Sequence, residues 1–159
     1  MSALVVRTIA AALNPFDLKA AILAQHAQHP VIVHFPIALF ISSAVFEILA
    51  VWRKQPAFAS VAYFNLLAAA ITIPFTIASG LGAWRWQLEG AALKGNLGMH
   101  LGFAVATATT ILLLFERRFR LRTRGESPRA GYFALMALGL VLITITGHLG
   151  GIVSGVETP

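Results

Sequence analysis

Imidazoles are the side chains in this sequence best equipped to do chemistry. His29 and His34 open the stretch HPVIVHFPIALF, residues His29–Phe40; His100 follows a glycine-rich segment, and His148 lies within TITGHLGG. Each stands near the end of a long apolar run, where an ionisable group is expensive and calls for a reason. Neutral imidazole ligates haem iron, zinc or copper through a ring nitrogen. Several imidazoles at one depth are therefore the pattern of a haem or metal site. The chain has no cysteine, which removes disulfides, thiolate chemistry, c-type haem attachment and cysteine-ligated iron–sulfur clusters. No phosphate-cradling glycine loop follows a strand, and there is no nucleophile–base motif.

Four apolar runs must position these rings, at about 31–52, 58–82, 97–115 and 131–153. Each is near the ~20 residues that cross a hydrocarbon core of about 30 Å. The composition agrees: 58% hydrophobic, 11% charged and a mean hydropathy of +0.79, against roughly 25% charged in a soluble domain. The expected fold is all-α, an integral membrane antiparallel four-helix bundle with a short N-terminal amphipathic helix. That helix belongs to a segment over 1–28, where Asn14 reads as an N-cap and Pro15 as the first helical position. Phe16, Leu18, Ile22 and Leu23 alternate there with Asp17, Lys19 and Gln25, the composition of a helix lying on a membrane surface. An uncleaved targeting segment is the alternative for the same residues. The four-span domain then covers 29–156.

Charge sets the expected topology. Arg53, Lys54, Arg117, Arg118, Arg120, Arg122, Arg124 and Arg129 fall on one side, which is eight of the twelve basic residues. The positive-inside rule makes that side cytoplasmic and puts both termini and the 83–96 loop outside a bacterial inner membrane. Trp52 and Tyr132 then fit the inner aromatic belt, and Trp84 and Trp86 the outer one. Because the basic residues flank apolar runs, the net charge of +6 does not indicate nucleic acid. The lipid bilayer is the expected partner, and the basic loop has anionic lipid or a partner protein as a further option.

This topology gathers His29, His34, His100 and His148 into one outer layer, contributed by three helix ends; His26 is expected to be solvated. Eight of thirteen glycines share the layer, namely Gly80, Gly82, Gly95, Gly98, Gly102, Gly147, Gly150 and Gly151. Glycine permits close helix approach, and Gly98-x-x-x-Gly102 has the spacing for it. The same missing side chains leave room for a flat cofactor. The expected cofactor-binding set is therefore His34, His100, His148 and His29, with Gly98, Gly102 and Gly147. Haem b needs axial imidazoles on facing helices. His34 with His100 is the leading pair, and His29 with His148 a second pair or a support for the first. His29, directly before Pro30, reads first as a helix cap. The alternatives are a zinc or copper site of converging histidines, or no cofactor and a packing role.

Other polar positions carry structural expectations. Thr72, Thr76 and Ser79 share a face of the second span, where hydroxyls bond the preceding turn or a neighbouring helix, or line a slot. Thr144 and Thr146 are placed to orient His148. Pro74 should kink the second span, while Pro36 lies in the first turn of the first. Glu47, the carboxylate within a span, should snorkel or pair with a base. No internal repeat is evident residue by residue.

The opening H-P-x-x-V-H-F-P-I-A-L at His29–Leu39, the turn at Ser79-Gly80-Leu81-Gly82, His100 opening the third span and Thr146-Gly147-His148-x-Gly150-Gly151 resemble the bacterial membrane family catalogued as domain of unknown function 2231. The resemblance covers about 28–156 and implies a four-helix integral membrane domain. It also implies redox work at the outer face, since relatives occur fused to or beside Rieske iron–sulfur or cytochrome domains. Lacking cysteine, this chain would need such a partner as a separate protein. The expected function is electron transfer through b-type haem, as a carrier or scaffold subunit and not a stand-alone enzyme. The alternative is a non-catalytic membrane assembly subunit.

Overall fold

A computed structural model describes residues 25–155, with side chains from Gln28 onward. Four helices account for nearly all of it: α1 Gln25–Arg53, α2 Pro56–Trp86, α3 Gly95–Thr123 and α4 Ala130–Val153. All four are long and apolar enough to cross a membrane. The expected N-terminal surface helix and His26 lie outside the residues whose side chains are described.

Local chemistry fixes the helix ends. Lys54 takes a left-handed φ of 53° and stops α1, as a residue just past a helix commonly does. Pro56 then opens α2 at a position that needs no N–H donor. The α1–α2 connection is thus only Lys54-Gln55. Between α2 and α3 the chain turns through Glu89 and Gly90, both at positive φ, and the Trp84 indole N–H donates to the Ala91 carbonyl at 2.9 Å.

Antiparallel hairpins α1–α2 and α3–α4 are the tight units. They join chiefly through α2 and α3, with a slighter contact between α1 and α4. The helices therefore run in the cyclic order α1, α2, α3, α4, with α1 diagonal to α3. Phe40, Leu66, Ala69, Ile73, Ile111 and Leu114 form the centre of the core. At most 33% of the most apolar window of any helix is buried inside the molecule. Phe35, Phe64, Ile71 and Phe75 face outward, each more than half exposed. Apolar side chains on the outside of an apolar bundle are what lipid contact requires.

The helices overrun the expected spans, most of all α3, which continues to Thr123 where the apolar run ends near 115. Helix geometry does not stop at the edge of hydrophobicity, and the arginines that follow are good helix formers. Pro30, Pro36 and Pro74 all lie within helices. His29 is accordingly inside α1 and does not cap it.

Candidate functional site: an imidazole pair at one end of the bundle

His29 and His100 are half-buried, and each is tied across its own hairpin. His29 Nδ1 donates to Ser79 Oγ of α2 at 2.9 Å. The donor is assigned by the next bond, because Ser79 Oγ gives its proton to the Thr76 carbonyl at 2.9 Å. His100 Nδ1 donates to the Thr146 carbonyl of α4 at 3.1 Å, and a carbonyl can only accept. Both rings are thereby held as the Nδ1–H tautomer, which leaves each Nε2 as a lone-pair base. A second bond that orients a ring and fixes its tautomer is what a ligating histidine ordinarily has.

A glycine faces each ring. A Cβ on Gly80 would come within 3.1 Å of His29 Cε1, and one on Gly150 within 3.2 Å of His100 Cε1. Both glycines stand one turn past a threonine, in Thr76-x-x-x-Gly80 and Thr146-x-x-x-Gly150. Residues four apart share a helix face, so each threonine–glycine pair lies along one strip of its helix. The two hairpins thus share a histidine on the first helix against a glycine on the second, with the ring bonded to Ser79 Oγ in one and to the Thr146 carbonyl in the other. Residue-by-residue comparison misses this repeat, because its signal is a spacing within α2 and α4 paired with histidines at the starts of α1 and α3. The two rings also lie within electrostatic reach of each other across the bundle.

The remaining expected site residues are placed elsewhere. His34 is exposed, and its Nδ1 donates to the Pro30 carbonyl of its own helix. His148 is exposed on α4. Thr144 and Thr146 donate to Leu140 and Leu142 carbonyls, both at 2.8 Å, and it is the Thr146 carbonyl that orients a histidine, His100. Gly98 brings α3 against the Leu93 carbonyl, 2.9 Å from a Cβ placed there, whereas Gly102 and Gly147 face open space. Among the described residues no group of three or more His, Cys, Asp or Glu side chains converges as metal ligands do. Beside His29 a groove of about 270 Å³ runs between α1 and α2, lined by Gln28, Ser79, Gly82 and Trp86 among others.

The opposite end holds a second polar group. Glu47 of α1 accepts from Arg118 Nε at 3.0 Å across the diagonal, and both side chains are buried. Arg118 Nη2 also reaches the Ala59 carbonyl of α2 at 3.5 Å. Pairing with a base is the fate expected for Glu47. Arg118, however, is a core residue and not a member of the solvated basic loop. Tyr132 of α4 lies within electrostatic reach of both charges. Its buried hydroxyl has no hydrogen-bond partner among the described residues.

Four apolar spans around two small polar layers define an integral membrane protein of the helical-bundle class. The chain belongs to the family described as predicted membrane protein (DUF2231), which it matches over residues 25–156. No curated protein and no solved structure matches it.

Proposed function

We propose that the protein holds b-type haem at the histidine end, with His29 and His100 as the axial pair, and passes electrons there. The observation that carries this reading is the matched chemistry of the two rings. Each donates from Nδ1 to a fixed acceptor and keeps Nε2 free. A porphyrin iron needs only two protein ligands, whereas a zinc site ordinarily takes three or four. Gly80 and Gly150 suit the same reading, since a Cβ at either would crowd a ring. The groove beside His29 is smaller than the ~300–1,000 Å³ of most ligand sites, so the imidazole pair and not the groove supports the assignment.

Bound haem would supply a one-electron carrier. This chain's residues would set its properties: Ser79 and the Thr146 carbonyl by keeping both rings in one tautomer, and the apolar helices by lowering the local dielectric. A separate Rieske or cytochrome protein is the proposed electron partner. The proposed location is a bacterial inner membrane with both termini outside, from the basic residues at the opposite end. The cysteine-free chain makes orientation easy to read. A single cysteine in place of Glu89 should react with an impermeant thiol reagent from outside, and one in place of Lys54 should not; the reverse pattern inverts the topology.

Absorption spectra of protein from haem-replete cells, oxidised and then reduced, test the main claim. A Soret band lost in His29→Ala and in His100→Ala, but kept in His34→Ala and His148→Ala, is the expected result. Absence of the band in the parent protein sinks it. The second reading is a cofactor-free assembly subunit, favoured by the fact that both rings already close their hairpins. It predicts unchanged spectra in all four variants, with loss of a co-purifying protein in the first two. Elemental analysis of the same preparation decides zinc or copper.

A further inference from the structure

The last turns of α3 and its connection to α4 are rich in arginine, and the structure sorts these residues by partner. Arg118 is committed to Glu47. Arg120 pairs with Glu116 one turn back. Arg122 lies over the Tyr63 ring, 4.4 Å from its centroid. Arg117, Arg124 and Arg129 have no anionic partner among the described residues. Those three line one groove of about 310 Å³, together with Arg120, Glu126 and Tyr132.

Several features give this groove a positive field. Glu126 is the one carboxylate in its lining. The N-terminus of α4 opens into it at Gly131, with no side-chain cap and no acidic residue in its first turn, so the positive end of the helix dipole is not offset locally. The groove also lies at a definite depth. The apolar part of α3 ends at Phe115, and Arg117 to Arg124 cover about 10 Å of helix, enough to pass through a headgroup layer of roughly 5–8 Å. Leu121 contributes an apolar wall, and Phe119 is half exposed on the same turn.

We propose that this groove binds the phosphate headgroup of an anionic phospholipid, gripped by Arg117, Arg124 and Arg129. Guanidinium forks bond phosphate oxygens two at a time, and three unpaired forks around one concavity are a stronger recognition element than dispersed surface charge. The site is at the far end of the bundle from the histidines and does not depend on the haem reading.

The test uses full-length protein in nanodiscs of phosphatidylcholine containing a minor fraction of phosphatidylglycerol. Lipid retained on the protein is then measured by native mass spectrometry. Phosphatidylglycerol should be retained in preference to phosphatidylcholine. Arg117→Gln/Arg124→Gln/Arg129→Gln should lose that preference by about tenfold. Arg53→Gln/Lys54→Gln, which removes two charges from the same end outside the groove, should keep it. Equal loss in both variants would mean general surface attraction and overturn the site, as would the absence of any preference. If millimolar inorganic phosphate stabilises the detergent-purified protein as well as phosphatidylglycerol does, the ligand is a soluble phosphate and the lipid assignment is wrong. Should the triple variant fail to insert, Arg117→Gln and Arg129→Gln singly should each show a smaller loss in the same direction.

Discussion

The two ends of this bundle bury polar groups in opposite ways. At one end Glu47 and Arg118 answer each other, acid to base, across the diagonal between α1 and α3. At the other end His29 and His100 are each satisfied by the neighbouring helix of their own hairpin, and each retains a ring nitrogen with no partner among the described residues. The first arrangement is closed: its charges compensate each other and hold the bundle together. The second is held in place and still open. An open ring nitrogen in each hairpin is the feature on which the proposal of a ligand at that end rests.

Breaking the closed end should have the largest effect on stability. Glu47→Ala leaves a buried guanidinium without its counter-charge, a loss of about 3–5 kcal/mol. Equilibrium denaturation in detergent should show it as a large drop in midpoint. Glu47→Leu/Arg118→Met removes both charges and should restore most of that loss, because replacing a whole buried pair by apolar groups is roughly neutral. If the double variant is as unstable as the single one, the pair is not closed and the contrast between the ends fails.

The waist between the ends comes next. A Cβ on Gly139 would lie 2.8 Å from Phe40 Cζ and 3.2 Å from Thr110 Cγ2, and Phe40 is fully buried. Gly139→Ala should therefore cost about 1–3 kcal/mol through overpacking. Gly102→Ala meets nothing within 4 Å and should leave the midpoint unchanged or raise it slightly, by up to about 1 kcal/mol, since alanine is the better helix former. The two alanines together test whether the glycines are spent on packing at the waist and not uniformly along α3 and α4.

The four spans and the basic end were legible in the sequence, because hydropathy and arginine placement are local signals. The pairing of Arg118 was not: its partner lies 71 positions away, and its neighbours are solvated arginines that disguise it. The layer of histidines was legible by depth, but depth does not say which way a ring faces. His29 and His34 are five positions apart, about 140° around a helix of 3.6 residues per turn, so one facing inward turns the other toward lipid. The same geometry turns His148 away from His100. Thr146 and Gly150 define the strip that meets His100, and His148 falls midway between them on the opposite side of α4. Depth ranked His34 above His29; rotation about α1 places His29 inside.

At the open end the expected effect on stability is smaller and the effect on chemistry larger. Ser79→Ala removes one acceptor, about 0.5–1.5 kcal/mol, and lets the His29 ring change tautomer. The denaturation midpoint should fall slightly, while any haem spectrum should shift or weaken markedly. Gly80→Ala and Gly150→Ala press on the rings directly and should act on the spectrum in the same direction. A large loss of stability with an unchanged spectrum would turn the comparison around and make the histidine end the structural one.

The smallest effect, and the one with a reversed sign, is expected at Tyr132. Its ring is 4% exposed, and its hydroxyl is buried with no partner among the described residues, beside the charges of Glu47 and Arg118. Glu47 has its bond from Arg118, so the hydroxyl gains nothing that would offset its own desolvation. Tyr132→Phe removes that group without changing the shape of the ring, and such a change is neutral or stabilising, by up to about 1 kcal/mol. A fall in the denaturation midpoint instead would mean that the hydroxyl does bond, directly or through water, to the Glu47–Arg118 pair. The closed end would then be a three-residue network, and Glu47→Leu/Arg118→Met could no longer be expected to restore stability on its own.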